Sequence, residues 1–171
     1  MNAKIGSESG PVKNRTTVER TSDREVVVTR TIDGPARIVF EAFTRAELFK
    51  RWWVPRSMGM TLLSCELDAR VGGKYRLVFD HHPEPVAFFG TYVEVQPYSR
   101  LAWTNEEGGE DGSVTTVTFD EKGGKTRVVL TERHPSKEAL DAAGTGAADA
   151  MVETFDQLDE LLVALGESSG Q

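Results

Sequence analysis

The chain is poor in the residues that most often announce a function. It has one cysteine, Cys65, and three histidines, His81, His82 and His134, in 171 residues. A lone cysteine closes no internal disulfide and has no legible His or Asn partner spacing, so a nucleophilic role is not expected of it. No apolar run approaches the roughly 20 residues of a helical membrane span, and the opening MNAKIGSESGPVKNR lacks the apolar stretch of a secretory signal. A cytoplasmic, reducing location is the expectation. Basic residues are outnumbered, 20 Lys and Arg against 27 Asp and Glu, for a formal charge of -7. An acidic field repels nucleic acid and anionic lipid, and no basic patch offsets it, so no nucleic-acid partner is expected.

What remains is an ordinary globular composition, 39% hydrophobic and 27% charged, enough for one domain with one core. Residues 1–22 carry no hydrophobic period and are expected to form a flexible segment, as is the tail 166–171; the domain is expected over 23–165. Val26, Val28 and Ile32 alternate with Thr29 and Thr31 as a strand would, and Pro35 then presets a helix with Ile38, Val39, Ala42 and Phe43 on its apolar face. A second short helix, 45–53, carries Leu48, Phe49, Trp52 and Trp53 and stops at Pro55. From Met60 the period becomes two, giving strands over 61–68, 74–80, 87–95, 100–105, 113–120 and 126–133. Short turns between successive strands force antiparallel pairing. Ser136 caps a brief helix that Gly144-Thr145-Gly146 interrupts. A long amphipathic helix follows, with Ala148, Met151, Val152, Phe155, Leu158, Leu161, Leu162 and Leu165 on its stripe.

One helix about 10 Å wide cannot cover a curved sheet of about seven strands. Two short helices must plug the remainder, and a cavity between sheet and long helix is the expected outcome. The fold class is therefore α+β, in the order β-α-α-β-β-β-β-β-β-α.

The text Asp23-Arg24-Glu25, Thr29 to Pro35, Val39 to Thr44, Trp52-Trp53-Val54-Pro55, Cys65 to Arg76, Gly90 to Val95, Leu101 to Thr104 and Thr126 to Leu130 resembles the START-like, helix-grip (SRPBCC) superfamily, which includes polyketide cyclases. Within it the chain looks like the branch homologous to the C-terminal domain of the heat-shock-protein ATPase activator. The likeness runs over about 23–165. It implies a helix-grip fold with an internal cavity, on a scaffold that hosts binders, cyclases, toxin-resistance proteins and chaperone modules. Such proteins commonly carry a Gly-Trp pair early in the last helix. The aligned place here is Ala150-Met151, a flexible thioether that leaves more room.

Candidate ligand-binding residues are Phe49, Trp52, Trp53, Tyr75, Leu77, Phe89, Thr91, Trp103, Val117, Leu130, Glu132, Met151 and Phe155. Of the two adjacent tryptophans, Trp52 is the one placed inward by spacing, although Trp53 also lies four residues beyond Phe49. Glu132 shares strand parity with Val128 and Leu130. It either faces the cavity as a polar contact or general base, with Tyr75 or Arg30 nearby, or lies where the strand has already reached solvent. Cys65 alternates with Ser64 and Glu66 and is expected inside as an inert thiol. Adjacent His81 and His82 point to opposite faces of a strand and read as a solvated turn, with no metal expected. His134 is expected at a strand end. Asp68-x-Arg70-x-Gly72-Gly73 reads as a hairpin tied by its own side chains, and the acidic loop 105–113 as a solvated connection.

The leading expectation is a small-molecule binding protein with a hydrophobic cavity for an apolar, aromatic or lipid-like ligand, needing no cofactor. A cyclase- or hydrolase-like enzyme in the same cavity is the second, although no catalytic motif is legible. A chaperone ATPase-activating module is the third; the resembled branch pairs it with a separate N-terminal domain, which the residues before Asp23 are too few to form. Monomer and homodimer both remain open.

Overall fold

The computed structural model describes residues 16–106 and 112–169. The segment expected to be flexible at the N-terminus lies outside the described residues over 1–15, as do 107–111 of the acidic loop and 170–171. Eight strands form one antiparallel sheet: β1 (Thr17–Arg20), β2 (Glu25–Ile32), β3 (Leu62–Leu67), β4 (Lys74–Phe79), β5 (Val86–Gln96), β6 (Arg100–Thr104), β7 (Val114–Lys122) and β8 (Lys125–Arg133). Their spatial order is β1-β2-β8-β7-β6-β5-β4-β3. The meander from β3 to β8 follows from its short turns. The chain leaves β2 beside β8, passes through α1 (Ala36–Thr44) and α2 (Ala46–Phe49), and re-enters the sheet at the opposite edge. Helices α3 (Lys137–Ala143) and α4 (Gly146–Ser169) complete the domain. No described helix is long and apolar enough to cross a membrane.

Alternation decides what faces α4. In β2 every second residue, Val26, Val28, Arg30 and Ile32, is buried. Val117 and Val128 do the same from β7 and β8. Phe43, Trp52, Phe155 and Leu158 meet them from the helices, all essentially without solvent contact. The buried Arg30 pairs with Asp156 (2.6 Å) and Asp159 on α4, and Asp159 Oδ1 also accepts the amide of Asp33 (3.1 Å), fastening the helix to β2 and the turn that follows it.

Several expectations are corrected. The domain begins before residue 23, because β1 pairs with β2 from Thr17↔Thr29 to Arg20↔Val26. Its sequence TVER has too little apolar alternation to signal a strand, and the free edge of β2 supplies the partner. The helix expected over 45–53 is a single turn, α2. The chain continues as turns to Trp53 because Gln157 of α4 draws the carbonyls of Trp52 (3.0 Å) and Val54 (2.9 Å) into hydrogen bonds of its own. At the other end, α4 runs through Gly166 to Ser169, past the expected boundary at 165. Leu63 does not share the inner face of Cys65. Register shifts between Leu62 and Ser64, and this bulge turns Leu63 out to 52% exposure. Val152 is also exposed, lying off the stripe of Met151 and Phe155.

The turn chemistry holds as expected. Gly72 adopts φ 86°, a Cβ on Gly73 would meet the Asp68 carbonyl at 2.0 Å, and Arg70 Nε lies 3.0 Å from both carboxylate oxygens of Asp68. Ser136 Oγ accepts the Ala139 amide and starts α3, while Gly144 at φ 70° ends it.

Candidate functional site

Between the sheet and the first half of α4 lies a cavity of about 410 Å³. Three walls enclose it. The sheet contributes Tyr75, Leu77 and Phe79 from β4, Phe88 and Tyr92 from β5, Trp103 from β6, Thr115 from β7, and Leu130 and Glu132 from β8. Helix α4 contributes Gly146, Ala147, Ala148, Ala150, Met151 and Thr154. The third wall is Phe43 of α1, Phe49 of α2, and Trp53, Val54, Pro55, Met58 and Met60 from the segment leading to β3. Both Ala150 and Met151 face the space, so a flexible thioether forms part of this wall.

Of the thirteen expected site residues, Phe49, Trp53, Tyr75, Leu77, Trp103, Leu130, Glu132 and Met151 line the cavity; Trp52, Phe89, Thr91, Val117 and Phe155 do not. Trp52 is inward but sealed in the core. Its indole N–H donates to the Ala42 carbonyl (2.9 Å), and its ring stacks on Phe155 at 6.0 Å and meets Phe43 edge-on at 4.8 Å. Trp53 is the cavity ring, stacked on Phe49 at 4.7 Å and edge-on to Trp103 at 6.3 Å. Val117 and Phe155 are core at 0% exposure.

Phe89 and Thr91 point away from the cavity, opposite to the face expected of them. Leu77 pairs with Phe88 and Tyr75 with Gly90, and directly paired residues share a face, so Phe88, Gly90 and Tyr92 point inward. Ala87-Phe88-Phe89 is apolar on both faces and conceals the phase. A Cβ on Gly90 would stand 1.8 Å from the Thr104 carbonyl, so the inward place between Phe88 and Tyr92 takes no side chain. On the outer face, Thr91 accepts from Lys74 Nζ (2.8 Å) and donates to Glu106 (2.7 Å). Thr104 also donates to Glu106, and these hydroxyls lower its carboxyl below the usual value.

The polar lining gathers on one strip. Tyr75 Oη donates to the Thr104 carbonyl (3.0 Å) and Asn105 Oδ1 (2.9 Å), and Asn105 Nδ2 donates to Ser113 Oγ (3.0 Å) and Thr115 Oγ1 (2.9 Å). Thr115 pairs with Glu132 on the neighbouring strand. Glu132 Oε1 lies 3.0 Å from Nε2 of the buried His134. A carboxylate only accepts, so Nε2 carries the proton. Glu132 therefore faces the cavity, with its side chain 21% exposed, and of the two environments considered for it the solvated strand end is not the one found. Arg30 is not its neighbour; it is committed to Asp156 and Asp159.

Two further groups are set by burial. Desolvation pushes the Tyr92 phenol well above its ordinary value and raises the Cys65 thiol, which favours the protonated form of that sulfur. His81 and His82 lie in the exposed β4–β5 connection, and among the described residues no cluster of His, Cys, Asp or Glu could hold a metal ion.

The sequence signals missed were of two kinds. Phe79 continues the parity of Tyr75 and Leu77, and Thr115 that of Val117, so both were available from alternation. Asn105, Met58 and Gln157 were not, because their places depend on contacts between segments far apart in the chain.

Solved structures share this architecture. A protein from Rhodobacter sphaeroides superposes with TM-score 0.78 at 21% identity, covering 88% of this chain and 99% of its own. Ms6760 from Mycobacterium smegmatis gives 0.73 at 22%, covering 88% and 99%. A protein from Staphylococcus epidermidis gives 0.71 at 26%, covering 86% and 94%. No curated protein matches the sequence. The shared fold is consistent with a ligand-binding domain. A family model described as Activator of Hsp90 ATPase homolog 1-like protein matches residues 33–163, most of the domain, and the chain belongs to that family.

Proposed function

We propose that this protein binds a small apolar molecule, aromatic or lipid-like, in the cavity between the sheet and α4. The supporting observation is the lining itself: about 410 Å³ walled mostly by Phe, Trp, Tyr, Leu and Met, with Tyr75, Asn105, Ser113, Thr115 and Glu132 forming a polar strip on the sheet side. A volume of about 410 Å³ lies within the roughly 300–1,000 Å³ typical of small-ligand sites. Apolar burial supplies the affinity, at about 25 cal/mol per Å² removed from water, and the strip from Tyr75 to Glu132 fixes orientation. Native mass spectrometry of freshly purified protein, with extraction of any bound molecule, tests this. An adduct of small-molecule mass is expected, together with a change in tryptophan fluorescence when apolar compounds are added, because Trp53 and Trp103 line the space. If no adduct is found and a diverse apolar library shifts neither fluorescence nor melting temperature, the proposal fails.

The Glu132–His134 pair favours a second reading, a cyclase- or hydrolase-like enzyme in which Glu132 moves a proton of a bound substrate. Unchanged turnover in Glu132→Gln would remove Glu132 from that role. The family description favours a third, contact with a chaperone ATPase. A pull-down lacking any stoichiometric chaperone counts against it.

A further inference from the structure

We propose that the ligand carries a hydrogen-bond donor, an ammonium or a hydroxyl, at one end of its apolar body, and that Glu132 receives it; this rests on the binding function proposed above. Glu132 is the sole ionisable acid or base among the described lining residues other than the phenols of Tyr75 and Tyr92. Among the described residues, no Lys, Arg or His lines the space to neutralise an anion. His134 occupies Oε1, and Oε2 has no protein donor among the described residues. A partly buried carboxylate with a spare acceptor is stabilised by a donor from whatever fills the cavity, and an incoming carboxylate would meet repulsion with its own water stripped away.

Two neighbouring features agree in sign. The Thr115 and Ser113 hydroxyls each accept from Asn105 Nδ2, so they can turn their own protons toward a ligand oxygen beside Glu132. Trp53, Trp103 and Tyr75 supply ring faces that attract an ammonium. One feature opposes: Gly146, Ala147 and Ala148 bring the start of α4 to the same cavity, and a helix N-terminus favours negative charge. Asp149 in that first turn offsets it. The loop sequence 107–111, Glu-Gly-Gly-Glu-Asp, brings no base to the chain between Asn105 and Ser113.

A matched set of probes separates the possibilities: naphthylethylamine, naphthylethanol, its methyl ether and naphthylacetate, each titrated into the full chain by calorimetry. The amine, the alcohol or both should bind at least about tenfold more tightly than the ether and the acetate, the scale set by a hydrogen bond to a charged group. Preference for the amine identifies an ammonium headgroup, and preference for the alcohol a hydroxyl. In Glu132→Gln the amine should lose about tenfold and the acetate should gain, while the alcohol, which the amide oxygen can still accept, changes little. The wild-type ranking decides the matter if that variant does not fold. Acetate binding as tightly as amine and alcohol, or an ether as tight as both, overturns the donor preference but leaves the apolar cavity standing. Binding by none of the four, in protein that also carries no extractable ligand, overturns the binding function itself.

Discussion

Trp52 donates its indole proton to the Ala42 carbonyl and stacks on Phe155, whereas Trp53, one residue later, stacks on Phe49 beside empty space. Their substitutions should therefore separate stability from binding. Trp52→Ala removes a fully buried ring, and urea unfolding should show a loss of about 3–5 kcal/mol. Trp53→Ala removes a half-buried ring from a cavity wall and should cost about 1–2 kcal/mol, while weakening any bound apolar ligand by more than Trp52→Phe does. Equal destabilisation by the two alanine variants would refute this division. One residue separates the two rings, too fine a distinction for helical spacing when the helix is a single turn that ends at Phe49, before both.

Helix α4 holds the structure through two stripes of its surface. Asp156 and Asp159 grip Arg30 on β2. On the other stripe, Gln157 donates to the carbonyls of Trp52 and Val54 and accepts the Arg56 amide (2.9 Å), while Glu153 accepts the Ser57 amide (3.0 Å) and hydroxyl (2.5 Å). Gln157 is 3% exposed with its polar atoms satisfied, and the segment it holds carries Trp53, Val54, Pro55 and Met58 of the cavity wall. Gln157→Leu would leave two carbonyls and an amide without partners, at a cost of roughly 2–4 kcal/mol. Amide exchange at Arg56 should accelerate relative to the centre of β8, since the wall opens before the sheet does. Unchanged exchange at Arg56 would show that the segment is held by its apolar contacts alone. Only the facing segment explains the burial of a glutamine on this amphipathic helix.

For the whole molecule, burial of Tyr92 and Cys65 gives stability an alkaline limit. Both groups hold their protons more tightly in the folded state than in the unfolded chain, because desolvation disfavours the charged form. Their stabilising contribution is complete below the unfolded values, about 8.5 for a thiol and about 10 for a phenol. It is lost as pH rises from there toward the folded values, because the unfolded state then binds fewer protons. The melting temperature should fall between about pH 8 and pH 10.5, and more steeply in wild type than in Tyr92→Phe. Parallel profiles for the two proteins would remove Tyr92 as the cause.

Alternation alone was sufficient for strands β2 to β8, whose ends lie within a residue or two of those expected, for the amphipathic α4, and for Tyr75, Leu77 and Leu130 on one face; for Glu132 it left cavity and solvent both open. Those readings depend on local backbone geometry, which repeats every two or 3.6 residues regardless of what packs nearby. The tertiary structure alone decided the rest: the pairing that makes Thr17–Arg20 a strand, the phase of Phe88 against Phe89, the division between Trp52 and Trp53, and the strip joining Asn105, Thr115 and Glu132. Each depends on a partner in another segment, which the local pattern does not specify. Packing against that partner stabilises one of the arrangements that the local pattern allows.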